Sequence, residues 1–209
     1  MVYTYVKLPL YSFLIIIVTI TILAICIAIL GFYAGALGAR IEQLEKRLEN
    51  VEHGMAAAEE VFAQAQEIKA YILRTAKCTP RVATEVTYQI LATARLEGID
   101  PLDLAGMARV ESNFNPAAIG KLGERGLIQI RPSTFSSWHA GDFSDWRATL
   151  EAGARYLASC LRRFRDLRLA LAAYNAGPNR PPARILAISG RYADRVLAKR
   201  AAIAGEVAR

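Results

Sequence analysis

Glu111 is the side chain whose placement could support chemistry. It follows Leu104 by seven residues and Ala108 by three, so on a helix it falls near an apolar face. Desolvation drives a carboxyl group there toward its protonated form, and the last turn of a helix, at the negative end of the dipole, pushes the same way. Both effects prepare a glutamic acid to donate a proton near neutral pH. A frayed helix end with Glu111 pointing to water fits the same position, and spacing alone leaves both readings open. Other chemistry is thinly represented. Cys26, Cys78 and Cys160 form no Cys-x-x-C pair, and His53 and His139 fit no ligand or triad pattern, so no metal site and no cofactor are expected. Pairing of Cys78 with Cys160 stays open, since sequence does not show their separation.

The elements that must position Glu111 read as helices. Val82, Val86, Ile90, Leu91 and Ala94 recur at helical spacing across Val82 to Leu96, and Gly98 sits where a C-terminal cap belongs. Asp100 offers an N-cap and Pro101 a first helical position for the segment that ends at Glu111. Two more helices are expected at Trp146 to Phe164 and at Leu167 to Asn175, the second closed by Gly177-Pro178. No stretch shows strand alternation, so the domain is expected to be mainly α, with at most a small hairpin in the loop from Gly120 to Gly126.

The chain divides by composition. Leu10 to Phe32 carries no charge and is long enough to cross a bilayer as a helix. A cleaved signal peptide is the competing reading, given Lys7 before the run and Ala34-Gly35-Ala36 after it, although such apolar cores are usually about 7 to 15 residues. Beyond the run, Ile41, Leu44, Leu48, Val51, Met55, Ala58 and Phe62 alternate steps of three and four, a heptad seam that could zip two copies together or line a single amphipathic stalk. Thr79-Pro80 breaks the helical pattern. The expected organisation is an anchor over 1–37, a helical stalk over 38–76 and a compact domain over 77–209. That last part holds 20 Lys/Arg against 12 Asp/Glu, whereas residues 1–76 are nearly balanced, which suits a polyanionic partner without naming one. The arginine-rich stretch Arg162 to Arg168 matches no nucleic-acid motif, so no nucleic acid is expected.

Three blocks carry a family resemblance: Glu111-Ser112-Asn113-Phe114-Asn115-Pro116, then Gly126-Leu127-Ile128-Gln129-Ile130, then Ala173-Tyr174-Asn175-Ala176-Gly177. Together and in this order they resemble the lytic transglycosylases of the soluble-transglycosylase type, over roughly Thr79 to Leu197. The resemblance implies a lysozyme-like helical fold and cleavage of the bond between N-acetylmuramic acid and N-acetylglucosamine in peptidoglycan, with a 1,6-anhydro product. It implies Glu111 as the acid and later the base, Gln129 and Tyr174 lining the sugar cleft, and Asn175 shaping it. Tyr192 matches a later tyrosine of the pattern, and Ser112 either contacts substrate or satisfies nearby backbone. Such aromatic faces suit sugar rings, and amides suit N-acetyl groups. Gly120 and Thr149 depart from the pattern, which commonly has a hydroxyl residue and an asparagine there.

Glycosidases of the ordinary kind need two carboxyl groups. Glu124, Asp142 and Asp145 read as solvated loop charges, so a lone Glu111 counts against a hydrolytic muramidase without excluding it. A weakly catalytic, membrane-tethered wall-binding or scaffold protein is the alternative from another class. The expected location is the cytoplasmic membrane, or that of a virion, with the domain facing the wall. Arg40, Lys46 and Arg47 after the span lean the other way under the positive-inside rule.

Overall fold

The computed structural model describes residues 10–205, so Lys7 lies outside the described residues. They form seven helices: α1 Leu10–Thr75, α2 Pro80–Glu97, α3 Pro101–Glu111, α4 Pro132–Trp138, α5 Trp146–Phe164, α6 Leu167–Ala176 and α7 Pro182–Ala204. Two units divide the chain, one running to Ala57 and one from Ala58 on. In the first, α1 is long and apolar enough to cross a membrane, with a mean hydropathy of 3.3 in its most apolar stretch and none of that stretch buried. Thr19 and Thr21 do not break the run, because their hydroxyls bond back to the Ile15 and Ile17 carbonyls at 3.0 Å.

In the second unit, caps set the helix ends. Thr79 Oγ1 accepts from Val82 N–H at 3.3 Å at the start of α2, and Gly98, left-handed at φ 65°, closes it. Asp100 Oδ1 accepts from Leu102 N–H at 2.9 Å and starts α3. Seven consecutive residues of α3, Leu102 to Ala108, are buried, so this helix is enclosed on all sides. It packs on α2 and α7, while α5 meets α2, α4 and α6, and α6 meets α7. Gly106 lets α3 and α7 approach closely, since a Cβ there would lie 2.9 Å from the Val196 carbonyl oxygen and 3.2 Å from Arg200 N. Arg200 fastens the same contact, donating through Nε to Asp103 Oδ1 at 2.7 Å and through Nη2 to Asp100.

The core also takes in Ile68, Tyr71 and Ile72, from the last turns of α1. Their apolar spacing continues past Phe62, and in the fold it serves packing inside the second unit. The helices expected from Trp146 and Leu167 are present as α5 and α6. Two helices had no strong apolar pattern. In α7 the buried face is Ile185, Ser189, Gly190, Tyr192, Ala193, Val196 and Ile203, where small and polar residues blur the periodicity. At seven residues α4 is too short to show any. The small hairpin expected at Gly120 to Gly126 is reduced to isolated bridges of Arg125 with Ile119 and with Ile130.

Candidate active site

Glu111 is the last residue of α3, and the chain leaves it abruptly. Asn113 and Phe114 are both left-handed, at φ 56° and 61°. A bulky residue resists that conformation, and burial of the Phe114 ring holds it there. Tyr71 packs edge-on against this ring with centroids 6.2 Å apart. Ser112 ties the helix end to the following loop, its hydroxyl 2.8 Å from the Leu127 carbonyl and 3.2 Å from that of Ala108. Those bonds aim Ser112 at backbone, and it does not line the cleft.

Glu111 opens into a cleft of about 400 Å³ lined also by Glu124, Gln129, Arg131, Tyr156, Tyr174, Asn175 and Arg180. Burial raises the Glu111 carboxyl above its ordinary range, the Tyr192 hydroxyl and Arg195 work against this, and the charge of Glu124 adds to it. Tyr192 is outside the cleft lining but close enough to act on Glu111; its hydroxyl is buried and makes no well-formed hydrogen bond among the described residues. Tyr174 is 9% exposed and donates to the Ile128 carbonyl at 3.1 Å, so its ring edge, more than its hydroxyl, is available to the cleft. Its ring meets Tyr156 at 5.1 Å between centroids, and Tyr156 meets Trp138 at 6.0 Å, an aromatic row beside the acid.

Gln129, itself left-handed at φ 47°, donates both amide hydrogens to the carbonyls of Ala118 and Gly126, at 3.2 and 3.0 Å. Its Oε1 is thereby left as an acceptor. Asn175 Oδ1 accepts from Ser189 Oγ at 2.8 Å, which leaves its Nδ2 as the free end. Glu111, Gln129, Tyr174 and Asn175, drawn from α3, a loop and α6, thus share one cleft, with Tyr192 of α7 outside its lining.

Sequence reasoning took Glu124 for a solvated loop charge, and the fold corrects this. Its side chain is 16% exposed, accepts from Leu122 N–H at 3.0 Å and lies 3.4 Å from Arg131 Nε. Backbone hydrogen bonds, first its own, and Arg131 hold its carboxyl below the usual range. The carboxylate folds over Gly120, where a Cβ would collide with Glu124 Oε2 and sit 2.8 Å from Gln129 Oε1. The hydroxyl absent at 120 thus leaves room that a carboxylate fills. Nothing local in Gly123-Glu124-Arg125-Gly126 reveals this, because it depends on the loop folding back on itself. Thr149 is buried with its hydroxyl on the Trp146 carbonyl at 2.9 Å, outside the cleft lining. Tyr156, Arg131 and Arg180 were also missed, and only the third dimension gathers them. Cys26, Cys78 and Cys160 are free thiols, and among the described residues no three His, Cys, Asp or Glu side chains gather as a metal site.

Glu111 thus ends an enclosed helix and faces an aromatic and amide-lined cleft that it shares with Glu124, in a unit that is helical among the described residues. Residues 89–186 match the family described as the transglycosylase SLT domain. A solved structure of an inactive glutamate-to-glutamine mutant of the lytic transglycosylase Slt from Pseudomonas aeruginosa shares the fold. Its TM-score is 0.50 at 20% identity, over 57% of this chain and 24% of that one. A transglycosylase of Enterobacteria phage PRD1 is 35% identical over 81 residues, covering 39% of this chain and 31% of the phage protein. A membrane-bound lytic murein transglycosylase F of Alteromonas mediterranea is 36% identical over 81 residues, covering 35% of this chain and 18% of that protein. The likeness therefore spans less than a third of either curated relative.

Proposed function

We propose that this chain is a membrane-tethered lytic transglycosylase. It would cleave the β-1,4 bond from N-acetylmuramic acid to N-acetylglucosamine in peptidoglycan and leave a 1,6-anhydro end. The observation that carries this reading is Glu111, a half-buried carboxyl with a raised pKa opening into a cleft within the stretch that matches the transglycosylase SLT domain. Protonated Glu111 gives its proton to the glycosidic oxygen, and the acetamido oxygen of the sugar supports the positive anomeric carbon. Glu111, now ionised, takes the proton of the C6 hydroxyl as that oxygen closes on the anomeric carbon. One carboxyl group acts twice and no water is consumed. The names of the relatives and the inactive glutamate mutant of the Pseudomonas enzyme support this assignment. Gln129 Oε1 and Asn175 Nδ2 suit an acetamido group, the row of Trp138, Tyr156 and Tyr174 suits sugar rings, and Arg131 and Arg180 suit the carboxylates of a peptide-bearing strand.

Residues 1–37 are read as the anchor, 38–76 as the stalk and 77–209 as the catalytic part, which also draws on the last turns of α1 and faces the wall. Glu124 favours one second reading, a hydrolytic muramidase, because a second carboxylate lines the same cleft. A single experiment separates the two. The full chain in detergent is incubated with purified sacculi and the released sugars are weighed, since anhydro and reducing ends differ by one water. Anhydro ends are expected. Glu111→Gln should lose at least about 10²-fold in turnover while still binding glycan. Near-normal release by that variant would end the assignment, and reducing ends alone would favour hydrolysis.

A further inference from the structure

Beyond the uncharged run, α1 keeps a second apolar surface uncovered. Ile41, Leu44, Leu48, Val51 and Met55 are between 48% and 60% exposed, yet they follow heptad spacing. The charges beside this seam fall into two kinds. On the outer face Glu42 and Lys46 pair within the chain at 3.0 Å. With Ile41, Leu48 and Met55 at a positions and Leu44, Val51 and Ala58 at d, Arg40 and Arg47 fall at g and Glu45 and Glu52 at e. None of these four has an opposite charge three or four residues away, and none makes an ion pair within the chain among the described residues.

A g residue and the e residue five positions on flank opposite sides of their own seam, so they meet only across a parallel pair of helices. There Arg40 faces Glu45 of the second copy and Arg47 faces Glu52 of the second copy, on both sides. An antiparallel pair would instead set arginines against arginines and glutamates against glutamates. Two copies anchored through the preceding run in one bilayer also enter the seam in the same direction. We propose that residues 40–62 of α1 form a parallel two-stranded coiled coil with a second copy of this chain. Ile41 at a and Leu44 at d favour two strands, while Gly54 at g weakens the third heptad and leaves the first two as the stronger part. Confinement of both copies to a membrane compensates for the short length by raising their effective concentration.

The test uses the full chain in detergent micelles, its oligomeric state read by sedimentation equilibrium and its helicity by circular dichroism. The chain should dimerise. One variant carries Glu45→Arg and Glu52→Arg, the other Arg40→Glu and Arg47→Glu, each with its own affinity tag. Each alone should self-associate about tenfold more weakly, and mixing them should restore a dimer that carries both tags. Leu48→Asp should abolish the dimer without change in helicity. A monomeric full chain, charge variants that associate as before, a mixture that does not recombine, or a dimer that survives Leu48→Asp would each overturn the proposal. None of these outcomes depends on catalytic activity, so the functional reading stands or falls separately.

Discussion

At Glu111, the neighbours set the working pH range. If Glu111 is the proposed general acid, it acts while protonated, so activity should fall as pH rises through its pKa, and burial moves that limb upward. The Tyr192 hydroxyl favours the ionised form. Tyr192→Phe should therefore move the alkaline limb of the pH–rate profile to higher pH, whereas Glu124→Gln, by removing a nearby negative charge, should move it to lower pH. Profiles of sacculus digestion across pH 4 to 9 would show this, and shifts of the reverse sign would break the link between these groups and Glu111. Glu111 was singled out as the candidate acid by the block it opens, since its spacing alone left a solvent-facing reading open. Of the groups that tune it, Tyr192 was named only through the family pattern, whereas Arg195 of α7, some eighty residues on, and Glu124, brought in by a fold-back of its loop, were not.

For the helices, two contacts bear on the element that carries Glu111. Gly106 sits where α3 and α7 nearly touch, and the atoms facing it are backbone, which cannot rotate away. Gly106→Ala gains up to roughly 1 kcal/mol of helix propensity but overpacks at about 1–3 kcal/mol, toward the upper end here. A Tm lowered by about 2–8 °C in a thermal melt is the expected result, and an unchanged or raised Tm would rule out the close approach. The second contact is the end of α1. A chain starting at Lys77 loses Ile68, Tyr71 and Ile72 from the core, each a buried side chain of about 1.5–3 kcal/mol, against a total domain stability of about 5–15 kcal/mol. It also removes Tyr71 from behind Phe114, in the turn that follows Glu111. Such a chain should melt far below one starting at Ala58, and equal melting curves would show that these turns are dispensable. Helices α2, α3, α5 and α6 were readable because caps and apolar steps agree. In α7, close packing admits Ser189, Gly190 and Ala193 to the buried face, which erases the contrast that a pattern needs.

On the scale of the whole chain, substrate chemistry and charge make opposite predictions about topology. Peptidoglycan lies outside the cytoplasmic membrane, yet Arg40, Lys46 and Arg47 follow the apolar run, against Lys7 before it. With the domain facing the wall, protease added to intact spheroplasts should remove it. Full protection would assign it to the cytoplasm and leave the proposed activity without its polymer. The basic balance of the compact part fits an anionic wall, and Arg131 and Arg180 bring some of that charge into the cleft.

The sequence by itself determined a helical domain, a candidate acid at Glu111, the apolar run, the seam and three blocks specific enough to suggest a family. These are local properties: spacing along one helix, a cap at its end, a run without charge, a short string of fixed residue types. Only the tertiary structure decided that Ser112 serves backbone, that Glu124 shares the cleft, that Tyr192 acts on the acid from outside the cleft lining and that α1 ends inside the core. Each of those depends on groups far apart in the chain, or on a loop turning back on itself. Desolvation and charge act through space, and the order of residues does not reveal which of them will be neighbours.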